Sequence, residues 1–304
     1  MTLALTPNVR NPSLSFPTRR TFLLGLAGTG ALALAGCTGT GTTTNSTRVE
    51  NDAPPGTATV ANVEGTSGPL IGGTIVTVTG SNLHNTTGVT VGGSPVVALT
   101  ATQDTVTFTT PNAAEYQPGA VPVVLTQTSG EPIDAGRVFE YQVITPVDKQ
   151  MAYAFTYWQN YNLAEWGQLP DNDCGNYANQ TLLARGWEQN EDWFSDYATT
   201  GDFSLSWVRG NEMDEYLQSR PEVTRLPFEA RNQVKIGDIV MFDWDQENDN
   251  GVDHTMIVSA VIPQANGVNA IKLAGHTVDA QYRDFDDRIT VEHPGGTAHF
   301  LSIA

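Results

Sequence analysis

The chain has 304 residues, enough for two domains. Apolar residues make up 39% and aromatics 9%, which excludes wholesale disorder. Lys and Arg number 15 against 33 Asp and Glu, a formal charge of -18, which excludes a broad basic surface for nucleic acid. The two cysteines, Cys37 and Cys174, form no Cys-x-x-Cys pair. That argues against a zinc knuckle, a thioredoxin-type redox pair and a disulfide scaffold.

Residues 1–36 carry Arg10, Arg19 and Arg20 and no acid. The Arg pair precedes Thr21-Phe22-Leu23-Leu24 and an apolar, Gly/Ala-rich run to Gly36. That run is about 15 residues, short of the roughly 20 needed to span a bilayer, so 1–36 has the pattern of a signal peptide. It closes on Leu34-Ala35-Gly36-Cys37, which resembles a bacterial lipobox, and the Arg pair resembles a twin-arginine export signal. The resemblance implies cleavage before Cys37, acylation of its thiol, and a protein lipid-anchored in the cell membrane on its extracytoplasmic face. Two or three acyl chains anchor stably, because each buried CH₂ contributes about 0.8 kcal/mol. The alternative is a soluble secreted protein in which Cys37 is incidental. Residues 37–54 hold six Thr among Thr38–Thr47 and run into Pro54-Pro55. This stretch cannot bury a core and reads as a tether.

Residues 55–143 are strand-rich. Short runs recur at Ile75–Thr79, Val89–Val91, Thr105–Thr109, Val121–Thr126 and Arg137–Tyr141, each bounded by Gly, Pro, Asn or Ser. That spacing predicts a small all-β sandwich. Gly72-Gly73-Thr74-Ile75-Val76-Thr77-Val78-Thr79-Gly80-Ser81-Asn82-Leu83, then Val91-Gly92-Gly93-Ser94-Pro95, Pro111 and Phe139-Glu140-Tyr141, resembles an IPT/TIG immunoglobulin-like domain. Such domains are spacers or binding modules. His84, alone in a loop, is assigned no role.

The composition changes near Thr145-Pro146. All six Trp, Cys174 and four of the five His follow residue 150. Met151, Phe155, Trp158 and Asn162 fall at helical spacing, so one helix starts near Pro146. A second runs from Asp173 to about Arg185 and stops at Gly186, with Cys174, Tyr177, Ala178 and Leu182 on one face. Strands are expected at 238–244, 254–262, 270–276 and 297–303. Helices followed by an antiparallel sheet make residues 148–304 an α+β domain.

Cys174, His254 and His276 are the candidate catalytic residues. Cys174 follows Asp171-Asn172-Asp173, a good capping run, and sits where a helix dipole favours thiolate. The unpaired N–H groups there can receive an oxyanion. His254 opens an apolar strand and can take the thiol proton and return it to a leaving amine. The thiolate then favours a protonated His254, as an ion pair. Asn266-Gly267 predicts a hairpin turn. A turn centred on residue 265 puts His276 opposite His254, where it orients the base. A slip of two or three residues brings Asp279 there instead. No metal-ligand spacing appears, and neither a metal nor a cofactor is expected. Asp243–Gly251 resembles a calcium loop only loosely. With Asp245 first, Asn250 stands where Gly is required, so a solvated acidic turn is the reading.

Ala152-Tyr153-Ala154, Tyr161-Asn162, Asp173–Leu182, Gly237–Trp244, Asp253–Val258 and Gly275-His276-Thr277 together resemble the amidase domain related to CHAP and other papain-like cell-wall peptidases. The resemblance spans nearly all of 148–304. It implies a papain-like α+β cysteine hydrolase fold, with Cys174 as nucleophile, His254 as general base and acid, and His276 as the orienting group. It implies thiol-dependent amide hydrolysis in peptidoglycan or another peptide, through a thioester. The competing reading is a non-catalytic envelope binding or adhesion protein with a degenerate amidase-like domain. The two halves, 55–143 and 148–304, are expected to fold separately.

Overall fold

The computed structural model describes residues 56–169, 173–248 and 250–304. The expected signal peptide, the expected acylation at Cys37 and the expected tether fall outside the described residues. Among the described residues, no helix is long and apolar enough to cross a membrane.

The N-terminal half is built of nine strands: β1 (Thr59–Glu64), β2 (Ser67–Pro69), β3 (Ile75–Ser81), β4 (Thr86–Val91), β5 (Ser94–Pro95), β6 (Val97–Ala101), β7 (Thr105–Thr109), β8 (Gly119–Gln127) and β9 (Pro132–Gln142). They form two sheets, ordered β1-β3-β7-β6 and β2-β9-β8-β4-β5. Alternation sets the faces. Val76 and Val78 on β3, Val106 and Phe108 on β7, Val123 and Leu125 on β8, and Phe139 and Tyr141 on β9 are all buried.

The C-terminal half opens with α1 (Pro146–Tyr157). Thr145 and Asp148 form a capping box, and Pro146 sits in the first turn, where its missing N–H does no harm. Next come α2 (Leu163–Trp166) and α3 (Asp173–Arg185). A two-residue pair, β10 (Ser195–Asp196) and β11 (Asp202–Phe203), brackets α4 (Tyr197–Thr200). Then follow α5 (Leu205–Val208), α6 (Gly210–Ser219), β12 (Val223–Leu226), β13 (Ile239–Asp243), β14 (His254–Ile262), β15 (Ala270–Gly275), β16 (Ala280–Asp284), α7 (Phe285–Asp287) and β17 (Thr297–Ile303). The last six strands make one antiparallel sheet, ordered β12-β17-β13-β14-β15-β16. Ile239, Met241, Ile257, Ala274, Leu301 and Ile303 share a core with Met151 of α1 and Leu182 of α3. Val240, Phe242, Met256, Val258, Leu273 and Phe300 form a second core with Phe285. The sheet therefore has two buried faces, and each side chain at the site is assigned to one of them by parity.

The expectation of two separately folding halves meets a continuous core. Tyr116, in the loop between β7 and β8, is fully buried. Its ring meets Phe155 of α1 edge-on at 4.8 Å, and its hydroxyl donates to the Ser259 carbonyl in β14 at 2.5 Å. Asp148 is fully buried and accepts from Ile71 N across the boundary, as well as from Ile144 N and Thr145 N. The two halves thus share core residues and a buried carboxylate. Composition shows where a chain changes character; it does not show whether the pieces bury surface on each other.

Candidate active site

Cys174 lies in the first turn of α3, and the helix is pinned at both ends. At its C-terminal end the buried Arg185 donates to the Gln150 side chain and to the Ile303 carbonyl. At its N-terminal end Asp173 accepts from Leu169 N and Asn176 Nδ2, both at 2.9 Å. Further along, Asn176 accepts from the Trp207 indole and Asn179 from the Trp193 indole, so buried amides hold two of the Trp side chains. A Cβ on Gly175 would stand 3.1 Å from the Trp207 carbonyl, so the glycine lets α5 come close beside Cys174.

Cys174 lines a cavity of about 380 Å³, a size suited to a segment of substrate. Its walls include Arg209, Asn211 and Glu212 from the start of α6, and Asp253, His254 and Thr255 from the start of β14. Cys174 is partly exposed, while the sulfur itself is enclosed. Burial pushes the thiol up. The backbone N–H groups of Thr255 and Gly175 and the Thr277 hydroxyl pull the other way, and the Asp173 carboxylate adds to the rise.

His254 stands on the same cavity wall, but its ring belongs to the other face of the sheet. Its centroid is 6.3 Å from that of Phe242 and 6.1 Å from that of Trp244, beside the core of Met256 and Val258. Among the described residues no hydrogen bond reaches its ring. Burial, and then the charges of Arg288, Arg283 and His293, lower it to about 3. Against the expected thiolate–imidazolium pair, burial disfavours the charged form of both groups. The helix dipole is present, but enclosure of both groups outweighs it.

His276 does not orient His254. The β14–β15 ladder pairs Ile257 with Ala274, so by extension Thr255, not His254, stands opposite His276. A one-residue slip moves a side chain to the opposite face. His276 accordingly points toward the helices, where it is buried. Nδ1 meets Asp173 Oδ2 at 2.5 Å, and Nε2 meets the Tyr157 carbonyl at 2.9 Å. Tyr161 and Tyr177 stack on its two faces at 3.8 and 3.9 Å. Both ring nitrogens are thus engaged, one by the Asp173 carboxylate and one by the Tyr157 carbonyl, and neither faces Cys174 across a hydrogen bond. Asp279 is not beside His254 either; it accepts from the Tyr161 hydroxyl at 2.7 Å. The sequence reading missed the bond to Asp173, taking that residue as part of a cap. The Asp173-Cys174 doublet was the available signal, but its partner is 103 residues away.

In the acidic turn, oxygens of Asp243, Asp245 and Asp253 lie within 4.8 Å of one another. Two of these carboxylates, those of Asp243 and Asp253, are engaged in the turn itself. Asp253 accepts from Trp244 N and Asn250 Nδ2, and Asp243 from Asp245 N.

A family model described as "Putative amidase domain" matches residues 146–300, half of the chain. The chain belongs to that amidase family. A second model, "IPT/TIG domain", matches residues 58–141, so the amidase domain follows a TIG sandwich. No curated protein matches the chain. Among solved structures, the plexin A4 extracellular region is similar at 28% identity and TM-score 0.26, over 29% of this chain and 7% of that one. An auxiliary nutrient binding protein from Bacteroides thetaiotaomicron is similar at 20% identity and TM-score 0.22, over 28% of this chain and 21% of that one. A Bacteroides ovatus glucan-utilisation protein, SGBP-B, is similar at 12% identity and TM-score 0.20, over 79% of this chain and 50% of that one. These chains extend well beyond the part matched, and the TM-scores are too low to carry anything further.

The lowered His254 has a consequence for stability. Below the ordinary 6.5 the unfolded chain takes up a proton at this residue that the folded chain refuses until about 3. The contribution is fully present above 6.5 and is lost as pH falls through that window, by up to about 1.4 kcal/mol per pH unit. Chemical denaturation of wild type and His254→Gln between pH 7 and pH 4 is expected to show a shallower loss for the variant. Equal slopes would mean that His254 is solvated in the folded state.

Proposed function

We propose that the amidase domain hydrolyses amide bonds by a thiol mechanism, in peptidoglycan stem peptides or in the amide joining peptide to sugar. The observation that carries this reading is Cys174 in the first turn of a pinned helix, on a cavity wall it shares with His254 and beside the N–H groups of Thr255 and Gly175. Cys174 Sγ attacks the carbonyl carbon as His254 takes the thiol proton. The carbonyl oxygen gathers charge and is met by backbone N–H groups. Collapse breaks the C–N bond, and His254 returns the proton to the leaving amine. Water, activated by the same imidazole, then hydrolyses the thioester. His254 must turn from the Phe242 side into the cavity for this, and leaving that enclosed place relieves the desolvation that lowers its proton affinity. The test is mass spectrometry of muropeptides after digestion by wild type and by Cys174→Ala. New amine and carboxylate termini should form only with wild type. Identical spectra would reject the proposal.

One observation favours a second reading, an envelope binding module. Among the described residues no imidazole is hydrogen-bonded to Cys174, and both nitrogens of His276 are already engaged. Retention of muropeptides by wild type with no new termini would support that reading.

The protein is further proposed to be a lipoprotein anchored through Cys37 on the outer side of the cell membrane. The support is the Leu34–Cys37 motif after a short apolar run. Cys37→Ser is expected to release the protein into the soluble fraction. A variant that stays in the detergent phase would reject the anchor.

A further inference from the structure

The β14–β15 ladder carries a one-residue bulge. On the turn side Val261 pairs with Ile271 and Ala260 with Lys272; beyond it Val258 pairs with Leu273 and Ile257 with Ala274. Ser259 is the extra residue. A bulge inverts the alternation of the strand that carries it. The packing shows the inversion, since Val258 and Val261, three residues apart, both lie on the face that holds Phe242 and Phe285. Counted back from Val261 by strict alternation, His254 would fall on the opposite face, with α3 and Cys174. Counted through the bulge, it falls with Met256 and Val258 on the Phe242 face, where its ring is found. β15 keeps its alternation from Ile271 to Ala274, so His276 stays on the helix face. One residue, Ser259, therefore puts the two imidazoles on opposite faces of the sheet.

The Ser259 side chain is fully buried, yet its hydroxyl has no hydrogen-bond partner among the described residues, so it does not hold the bulge. The bonds to the β13 side reach only Val258, which is met by Gly237 N and the Asp238 carbonyl. The Ser259 carbonyl is held from the TIG sandwich instead, where the Tyr116 hydroxyl donates to it at 2.5 Å. The loop that delivers Tyr116 is strained for the purpose. Glu115 and Tyr116 both have φ +50°, a conformation that non-glycine residues keep only where their surroundings over-determine it. Phe155 fixes the Tyr116 ring edge-on.

We propose that Tyr116 is a positioning residue for His254: by holding the Ser259 carbonyl it fixes the bulge in β14, and the bulge fixes the face on which His254 lies. The TIG sandwich thereby sets the geometry of the site in cis. The proposal concerns the arrangement around Cys174 and not which bond is cleaved, so it and the amidase reading fail independently.

The test compares two variants of the full chain. Tyr116→Phe keeps the ring against Phe155 and removes only the hydroxyl. Tyr141→Phe is the control; it removes a hydroxyl bonded to the Pro111 carbonyl at 2.7 Å within the sandwich. In hydrogen–deuterium exchange, Tyr116→Phe should speed the amides of 254–262 by about tenfold, the size expected when a buried carbonyl loses its donor. β3 and α6 should keep their wild-type rates. In spectra of the chain with ¹⁵N-labelled histidine, the His254 ring signals should shift or double, while those of His84 and His299 hold. Tyr141→Phe should leave the exchange of 254–262 and the His254 signals at wild type. A hydroxyl with a merely structural role would speed exchange evenly across both halves and leave the His254 ring where it is. Even loss of protection, unchanged His254 signals in folded Tyr116→Phe, or Tyr141→Phe matching Tyr116→Phe in both readouts would overturn the proposal. If muropeptides stay intact while the exchange and the ring signals follow this order, the positioning role stands and the amidase reading fails. Cleavage by wild type, with His254 signals that ignore Tyr116→Phe, gives the reverse.

Discussion

Cys174→Ala is expected to abolish amide hydrolysis, with no residual turnover in single-turnover assays and a melting temperature close to wild type. In the proposed mechanism the sulfur is the atom that bonds to substrate, and no other residue in the first turn of α3 carries a hydroxyl or thiol to replace it. His254→Ala is expected to lower kcat about 10²–10⁴-fold, the contribution of a positioned acid–base group. His276→Ala should fail differently. It leaves the Asp173 carboxylate and the Tyr157 carbonyl buried without their donor and removes the ring packed between Tyr161 and Tyr177. Removing one partner of such a pair costs about 3–5 kcal/mol, so melting temperature falls along with activity. His276→Ala with normal stability and a selective loss of kcat would restore it to the acid–base machinery. His254→Ala with near-wild-type rates would remove His254 from it.

Tyr116→Ala is expected to destabilise both halves together by about 3–5 kcal/mol, the range for deleting a buried aromatic ring. The ring packs on Phe155 of α1, and the hydroxyl is bonded to Ser259 on β14, the strand that begins with His254. Against a total stability of about 5–15 kcal/mol, that is a large share. A single melting transition should shift as a whole. Residues 148–304 alone should lose cooperative unfolding, because the faces of α1 and β14 under Tyr116 and the Asp148 carboxylate lose their partners. A fragment 148–304 that melts cooperatively at the wild-type temperature and keeps its thiol reactivity would show that the TIG sandwich is only a spacer. The expected result makes that sandwich a structural part of the hydrolase domain.

Much of the fold was legible in the sequence. Alternation at Ile75–Thr79 and Thr105–Thr109 marked strands because one face of each is buried. The Pro146 start and the Gly186 stop bounded α1 and α3, because helix ends are set by local backbone chemistry. The strand starts at His254 and Thr297 agree with the structure to the residue. The short elements did not announce themselves. β12 and β16, of 4 and 5 residues, carry few inward positions, and a period cannot be read from so few. At the site, the cavity that Cys174 and His254 share was within reach, since a helix start and a strand start are both local features.

What the sequence determined by itself was therefore local: two fold classes, their boundary, and a thiol in a helix's first turn. Which way each imidazole faces was decided only in the tertiary structure. The hairpin centre was read from Asn266-Gly267, but the β14–β15 ladder runs one residue off that centre and carries a bulge between Val258 and Ala260. A turn signal is good to about one residue, and one residue is the whole difference between the two faces of a sheet. That offset sends His276 to Asp173 and leaves His254 against Phe242 and Trp244. Protonation followed the same course. A helix start and a nearby His are sequence features that favour an ion pair, but enclosure of both groups is set by residues distant in the chain, and desolvation outweighs the dipole.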